Sequence, residues 1–490
     1  MVKNKPIRRK TLWFILVCIV CFFVTGSWGV GDIQSVALAE NNDYETGMNA
    51  GFFVSDDQDA QGPQQLFAEL LLADAGGFDQ SQPRDGASSV INDDGCDAGD
   101  SAEKEETAVK MLDLLFQATG SLAYSSLAGG GQMVGGKGSV VVAPVVRFDD
   151  TKTGIFLYSG AYRKTKQVFV QDEGPKMFSE DIVQNVMPTF RYTWSPKLIV
   201  SPSIVFTQVQ TKETAEDTWN NGLYNYRDLG GGVKFEYLFN ADPKEKQSVS
   251  FGIQRFRREY PNFKSLAFIA GYGNFEEREK DFDGTLITVS KVDKSQLGWS
   301  NTIKTSFLDK RYVDKLVENE TGGRDQAKQY DYNLRLNDEL LYKTGTGWVF
   351  SLGTSLAYTK SNQNMAEGAF PQIIFHRNYY SSYSATLRPG VSLTQRRASG
   401  HFVTYGIEYG ITSHNYLDRM AKDRNGALLA DTQVDWTHNL TVQGIYTLNK
   451  HWNLGLTMDY SKVTSNMKYE QLYRYNYEIV NISAGFSCRY

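Results

Sequence analysis

Histidine is the first place to look for chemistry, and the chain has five: His376, His401, His414, His438 and His451. A hydrolase needs a nucleophile or an activated water beside such a base. His414 and Asp418 are the one candidate dyad, in a stretch that reads as a loop, where a histidine is more often simply solvated. No catalytic residue is assigned, and an enzyme is not expected. No His and Cys spacing suggests a metal site. No phosphate-cradling glycine loop follows a strand and opens a helix, so no cofactor is expected. The other ionisable groups are organised differently. Asp331, Arg335 and Glu339 share one face of an alternating segment, and neighbouring segments supply Arg388, Glu408, Asp435 and Asp459 on theirs. Mixed charges on such faces suit a water-filled passage, either as Arg–carboxylate networks that staple its wall or as a selectivity constriction.

Alternation is what must position these groups. In the last eleven residues Val480, Ile482, Ala484, Phe486, Cys488 and Tyr490 alternate with Asn481, Ser483, Gly485, Ser487 and Arg489. A strand sends successive side chains to opposite faces, so one face suits hydrocarbon and the other water. A membrane-spanning strand needs about 9–11 such residues. Other stripes are as clean: Trp452, Leu454, Leu456, Met458 and Tyr460; Trp348, Phe350, Leu352, Leu356 and Tyr358; Val403, Tyr405, Ile407, Tyr409 and Ile411; Tyr383, Ala385, Leu387, Val391 and Leu393. Trp348 with Tyr358, and Trp452 with Tyr460, would mark the two interfacial belts of a bilayer. Pro389 removes a ladder hydrogen bond, which predicts a bulge there. Bulges would equally explain Gly230, Gly231 and Gly232.

The spacing of turns extends the pattern. Short turns are expected near 149–152, 195–197, 240–243, 309–310, 344–347, 396–400 and 449–450. Longer polar connections are expected near 169–180, 212–225, 260–293, 319–328, 362–377, 414–431 and 463–474. Turns short on one side and long on the other belong to a membrane barrel. Fifteen strands are clear, and residues 120–127 supply a sixteenth, since bacterial single-chain barrels have even strand numbers; fourteen is the alternative. The expected fold is a monomeric, transmembrane, antiparallel up-and-down β-barrel over 118–490. The longest loop holds a possible helix over 264–271 and is the first choice for a constriction. A weak repeat places Tyr358-Thr359-Lys360 with Asn364-Met365 against Tyr460-Ser461-Lys462 with Asn466-Met467.

The amino-terminal part differs. Lys3, Lys5, Arg8, Arg9 and Lys10 precede an apolar run from Thr11 to Val24, and Ala37-Leu38-Ala39 offers a cleavage site after Ala39. This reads as a secretory signal, with an uncleaved anchor as the rival. Residues 40–117 hold 18 acidic and 3 basic residues, against 37 and 43 in 118–490. Most of the acidic stretch is expected to be disordered, with short helices over 65–73 and 103–117 carrying Leu66, Phe67, Leu70 and Leu71, and Val109, Leu112, Leu115 and Phe116. Such a segment could dock loosely in the periplasm, enter the lumen or recruit a periplasmic partner. Cys96 and Cys488 are the cysteines beyond the leader, too few for a disulfide framework. Aromatic residues reach 13%, which suits interfacial girdles, although mean hydropathy is −0.40. No basic cluster with interleaved aromatics suggests nucleic acid.

The carboxyl-terminal strand, with Phe486 and Tyr490, resembles the closing strand of Gram-negative outer-membrane β-barrels. That resemblance implies an assembly signal read by the barrel assembly machinery, outer-membrane lipid as surroundings and a periplasmic C-terminus. The Tyr260-Pro261-Asn262-Phe263 loop, the Tyr-rich hairpins and the aromatic end also resemble the barrels of export systems, such as the surface lipoprotein assembly modifier family. The chain departs from these in lacking a 34-residue helical repeat before the barrel. Passive or gated passage of small polar solutes is the leading expectation. Export of a polysaccharide or surface protein, and a closed barrel displaying its loops, are the alternatives.

Overall fold

The structure is a computed structural model that describes residues 111–127, 131–169, 178–212, 214, 217–219, 221–240, 245–263, 278–295, 297–367, 373–469 and 475–490. The leader, the acidic segment to residue 110, the helix expected over 65–73 and the helix expected over 264–271 lie outside the described residues.

Among the described residues eighteen strands follow one another: β1 (Met111–Leu127), β2 (Gln132–Arg147), β3 (Lys152–Phe169), β4 (Phe178–Ser195), β5 (Leu198–Lys212), β6 (Tyr226–Asn240), β7 (Gln247–Glu259), β8 (Phe282–Lys294), β9 (Trp299–Glu318), β10 (Arg324–Lys343), β11 (Trp348–Ser361), β12 (Met365–Glu367), β13 (Ile374–His376), β14 (Ser382–Arg396), β15 (Phe402–Lys422), β16 (Leu428–Thr447), β17 (Trp452–Ser465) and β18 (Tyr477–Arg489). Sixteen close into one antiparallel barrel in chain order, with β18 returning to β1, while β12 and β13 pair only with each other in the connection between β11 and β14. Closure leaves no sheet edge, which a lipid-facing sheet requires, because hydrocarbon offers nothing to an unpaired peptide group.

Registered partners share a face, so the ladders assign every side chain a side. Leu352, Leu356, Leu387, Ile407, Val442, Leu456, Met458 and Ile482 all fall on one side and are exposed. That side is the outer wall. Trp348, Tyr358, Trp452 and Tyr460 lie on it as well.

The seam is built by the last strand. Gln117 to Leu127 register against Arg489 to Ile479. Phe116 N–H donates to Tyr490 O (3.0 Å), and Tyr490 N–H donates back to Phe116 O (2.8 Å). His451 stacks on Tyr490 at 4.2 Å between centroids. Phe486 lies over Gly120 on the outer face. A Cβ at Gly120 would come within 2.8 Å of its ring.

Several expectations are corrected. β1 begins at Met111, so 111–117 is strand rather than the end of a helix over 103–117; Leu115 faces inward and Phe116 outward. Pairing against 141–147 satisfies the whole stretch, which a lone helical turn would not. Asp309 and Lys310 lie inside β9, and the short turn is at 295–298. The connection expected over 260–293 ends at β8, and the one over 414–431 shrinks to 423–427, because β15 and β16 run on past the expected rim. No bulge occurs at Pro389: β11 pairs through it in continuous register. Gly230 to Gly232 pair through without a shift too.

The repeat is stronger than expected and is displaced by two residues. β10 and β11 coincide in their bounds with β16 and β17 at an offset of 104 residues, Arg324 to Leu428 and Ser361 to Ser465. Asn362 accepts from Tyr330 N–H (2.8 Å) and donates to Lys328 O (3.0 Å). Asn466 does the same with Val434 N–H (2.9 Å) and Thr432 O (2.9 Å). The matching turns after β9 and β15 share a positive φ, at Gly322 (77°) and Gly426 (86°). Asn362, not Asn364, is therefore the counterpart of Asn466.

The Gly120→Val variant tests the seam. Crowding Phe486 should lower unfolding stability by about 1–3 kcal/mol. Urea unfolding of the folded barrel, followed by its heat-modifiable gel migration, measures the loss. Gly455→Val on β17, where a Cβ meets nothing within 4 Å, is the control.

Candidate lumen site and its charged wall

The inward positions follow from the same registers. Asp331, Arg335 and Glu339 on β10 pair with Ser361, Ala357 and Gly353, placing them opposite in sense to the exposed Leu352 and Leu356. Arg388 on β14 pairs with Gly353, Glu408 on β15 with Gly390 and Thr441, Asp435 on β16 with His414, and Asp459 on β17 with Thr441. All seven residues face the lumen.

Glycine gives Arg388 its place. A Cβ at Gly353 would sit 3.4 Å from Arg388 Nε, and one at Gly410 3.4 Å from its Cγ. With a hydrogen on both flanking strands, the long side chain can lie along the wall. Glu339 shares this row and interacts electrostatically with Arg388 and Glu408. One row on, Thr441 donates to Asp459 at 2.7 Å. Glu339 thus lies electrostatically between Arg388 and Glu408, while Asp459 sits farther along the same inner wall, on β17.

Nearer the long connections the carboxylates are tied down. Gln329 donates to both oxygens of Asp331 at 3.1 Å, and Gln433 to both of Asp435 at 3.0 Å. These pairs are counterparts in the repeat. They make Asp331 and Asp435 parts of the wall more than free surface charge.

His414 is corrected. It lies inside β15 rather than in a loop, and its registered acidic neighbour is Asp435. Asp418 lies on the same strand beyond a register shift between Asn415 and Met420. Among the described residues, no group of three or more His, Cys, Asp or Glu side chains could hold a metal.

The adjoining part of the wall, on β7 to β9, holds residues that alternation alone did not single out. Phe256, Phe282, Leu286, Leu308 and Tyr312 form a buried inward cluster on β7, β8 and β9. Phe256 is flanked by Gly230 and Gly284, whose Cβ atoms would approach it to 2.5 Å. Beside it Arg258, only 4% exposed, makes a two-pronged pair with Asp228 (2.8 and 2.9 Å) and stacks on Tyr226 at 3.9 Å. The signal was present in the glycine run at 230–232, which marks the space a large neighbour fills. A second apolar cluster, Val141, Ala143, Ile155 and Leu157, faces inward from β2 and β3.

No family model matches the chain, and no curated protein matches it. Among solved structures it is similar to a bacterial polysaccharide outer membrane secretin, at 11% identity over 77% of this chain and 98% of that one, with a TM-score of 0.39. It is similar to OccAB1 of Acinetobacter baumannii at 9% identity over 79% and 99%, with a TM-score of 0.41. OmpT of Vibrio cholerae, in its trimer form, gives 10% over 77% and 99%, with a TM-score of 0.38.

Breaking the buried pair should be costly. Arg258→Met leaves Asp228 uncompensated and is expected to destabilise the barrel by about 3–5 kcal/mol, whereas Asp228→Asn together with Arg258→Met should recover much of that. Equilibrium unfolding of the two variants decides it.

Proposed function

We propose that the chain is an outer-membrane channel that passes small polar solutes through its lumen. Its short turns and C-terminus lie on the periplasmic side. One observation carries this reading: Glu339 and Arg388 point into the barrel and are nonetheless solvent-exposed. A wall of sixteen strands is wide enough to leave an aqueous channel. An exposed apolar outer face and a charged, water-accessible inner one are what such a channel needs.

The residues divide the work. Arg388 and the carboxylates of Glu339, Glu408 and Asp459 set the field a permeating ion meets. The apolar cluster around Phe256 narrows the lumen from the adjoining strands β7 to β9. Asp331 and Asp435, held by their glutamines, brace the wall.

Planar-bilayer recording of the refolded protein tests this. Stepwise openings are expected, and silence from demonstrably inserted barrels would overturn the reading. In a salt gradient, Glu339→Gln with Glu408→Gln and Asp459→Asn should shift the reversal potential towards anion preference, and Arg388→Gln towards cation preference. Removing residues 40–110 spares all sixteen strands and should leave conductance equal or higher.

A further inference from the structure

The outer wall carries an ionisable residue where lipid is expected. Asp338 lies on the outer face of β10, between Leu336 and Leu340 on its own strand, and pairs with Thr354 and Ile303 on the neighbouring strands. Aromatic pairs bracket it along the strands. Tyr342 stacks on Trp299 at the short-turn end, with centroids 4.3 Å apart, and Tyr332 stacks on Phe307 towards the other end, at 5.9 Å. If those pairs mark the interfacial belts, Asp338 is inside the apolar band, with Asn301 as its hydrogen-bonding neighbour. An ionisable side chain at such depth usually faces protein or water rather than lipid.

Lys291 completes the pattern. Ile303 on β9 has two registered partners: Asp338 on β10 and Lys291 on β8. All three face outward, with the cation and the anion one strand to either side of the isoleucine. Such an arrangement is self-complementary. A two-fold axis along the membrane normal through Ile303 exchanges left and right, so Lys291 of each copy meets Asp338 of the other. Strand tilt separates the two charges by about 6 Å in height, which a lysine stem can span. Within one copy Lys291 rests on Asp293 at 2.8 Å. Asp293 is next to the short turn, so it can take other partners from water.

We propose that the outer face of β8, β9 and β10 is a contact between two copies of this chain, closed around Ile303 by reciprocal Lys291–Asp338 pairs. This rests on the reading of the barrel as membrane-embedded, and it replaces the expectation of a monomer.

Disulfide trapping in native membranes tests it, using full-length chain with Cys18, Cys21, Cys96 and Cys488 replaced by serine. Ile303→Cys should oxidise to a covalent dimer. Leu122→Cys, exposed on β1 eight strands away around the barrel, should not. Asp338→Lys and Lys291→Asp should each abolish the Ile303→Cys dimer, and the two together should restore it. If Asp338→Lys fails to fold, Asp338→Asn should still weaken trapping. Folded, heat-modifiable barrel in the membrane that traps no better through Ile303→Cys than through Leu122→Cys overturns the contact. Absence of folded barrel from the membrane fraction would instead overturn the membrane reading on which the contact depends.

Discussion

Every other feature of this molecule depends on the closed backbone ladder. Peptide groups that face hydrocarbon have no solvent to pair with, so each strand must be satisfied by its two neighbours, including the first by the last. The β1–β18 seam does this with continuous register and a reciprocal pair of bonds at Phe116 and Tyr490. Once the ladder is fixed, the period of two leaves no freedom: a side chain faces either the outer wall or the lumen. A slip of one residue would put Glu339, Arg388 and Asp459 into the apolar face, so the polarity of the chain and the closure of the sheet enforce each other.

Within that frame, glycine controls the shape of the lumen. Large inward side chains cannot stand upright beside equally large neighbours on a wall with strands about 4.8 Å apart. Two sites solve this in the same way. Phe256 lies between Gly230 and Gly284, and Arg388 between Gly353 and Gly410. In one case the space is filled by an aromatic ring that joins a buried cluster, in the other by a guanidinium that interacts electrostatically with Glu339. Phe486 over Gly120 repeats the device on the outer face. These glycines act by close approach, since their strands continue in register without a bulge.

Strand number, the two faces and most of the turns were legible in the sequence, because lipid imposes a strict alternation. The repeat was half legible. Matching Tyr358 to Tyr460 gives an offset of 102, whereas the backbone equivalence is 104. A shift of two keeps every side chain on its proper face, so alternation is blind to it. Hydrogen bonding is not: Asn362 and Asn466 each mimic a peptide group at the end of a strand pair, and only one alignment superposes them. The repeated units differ inside the lumen, where Lys310 in one stands at the place of His414 in the other, each registered with the glutamine-held aspartate.

What stayed illegible has a single cause. Polarity reports that a residue avoids lipid, but lumen, rim and turn all satisfy that condition. Asp309-Lys310 therefore reads as a turn, although Lys310 is 1% exposed on the inner side of a long strand. His414 reads as a loop residue for the same reason. The converse signal is less ambiguous. A polar residue at an outward position has only a few physical explanations, and Asp338 shares its face with Leu334, Leu336, Leu340 and Tyr342. The alternation that locates the lipid also locates its exception, so a misplaced charge on the outer face carries more information than the many charges that sit where water already is.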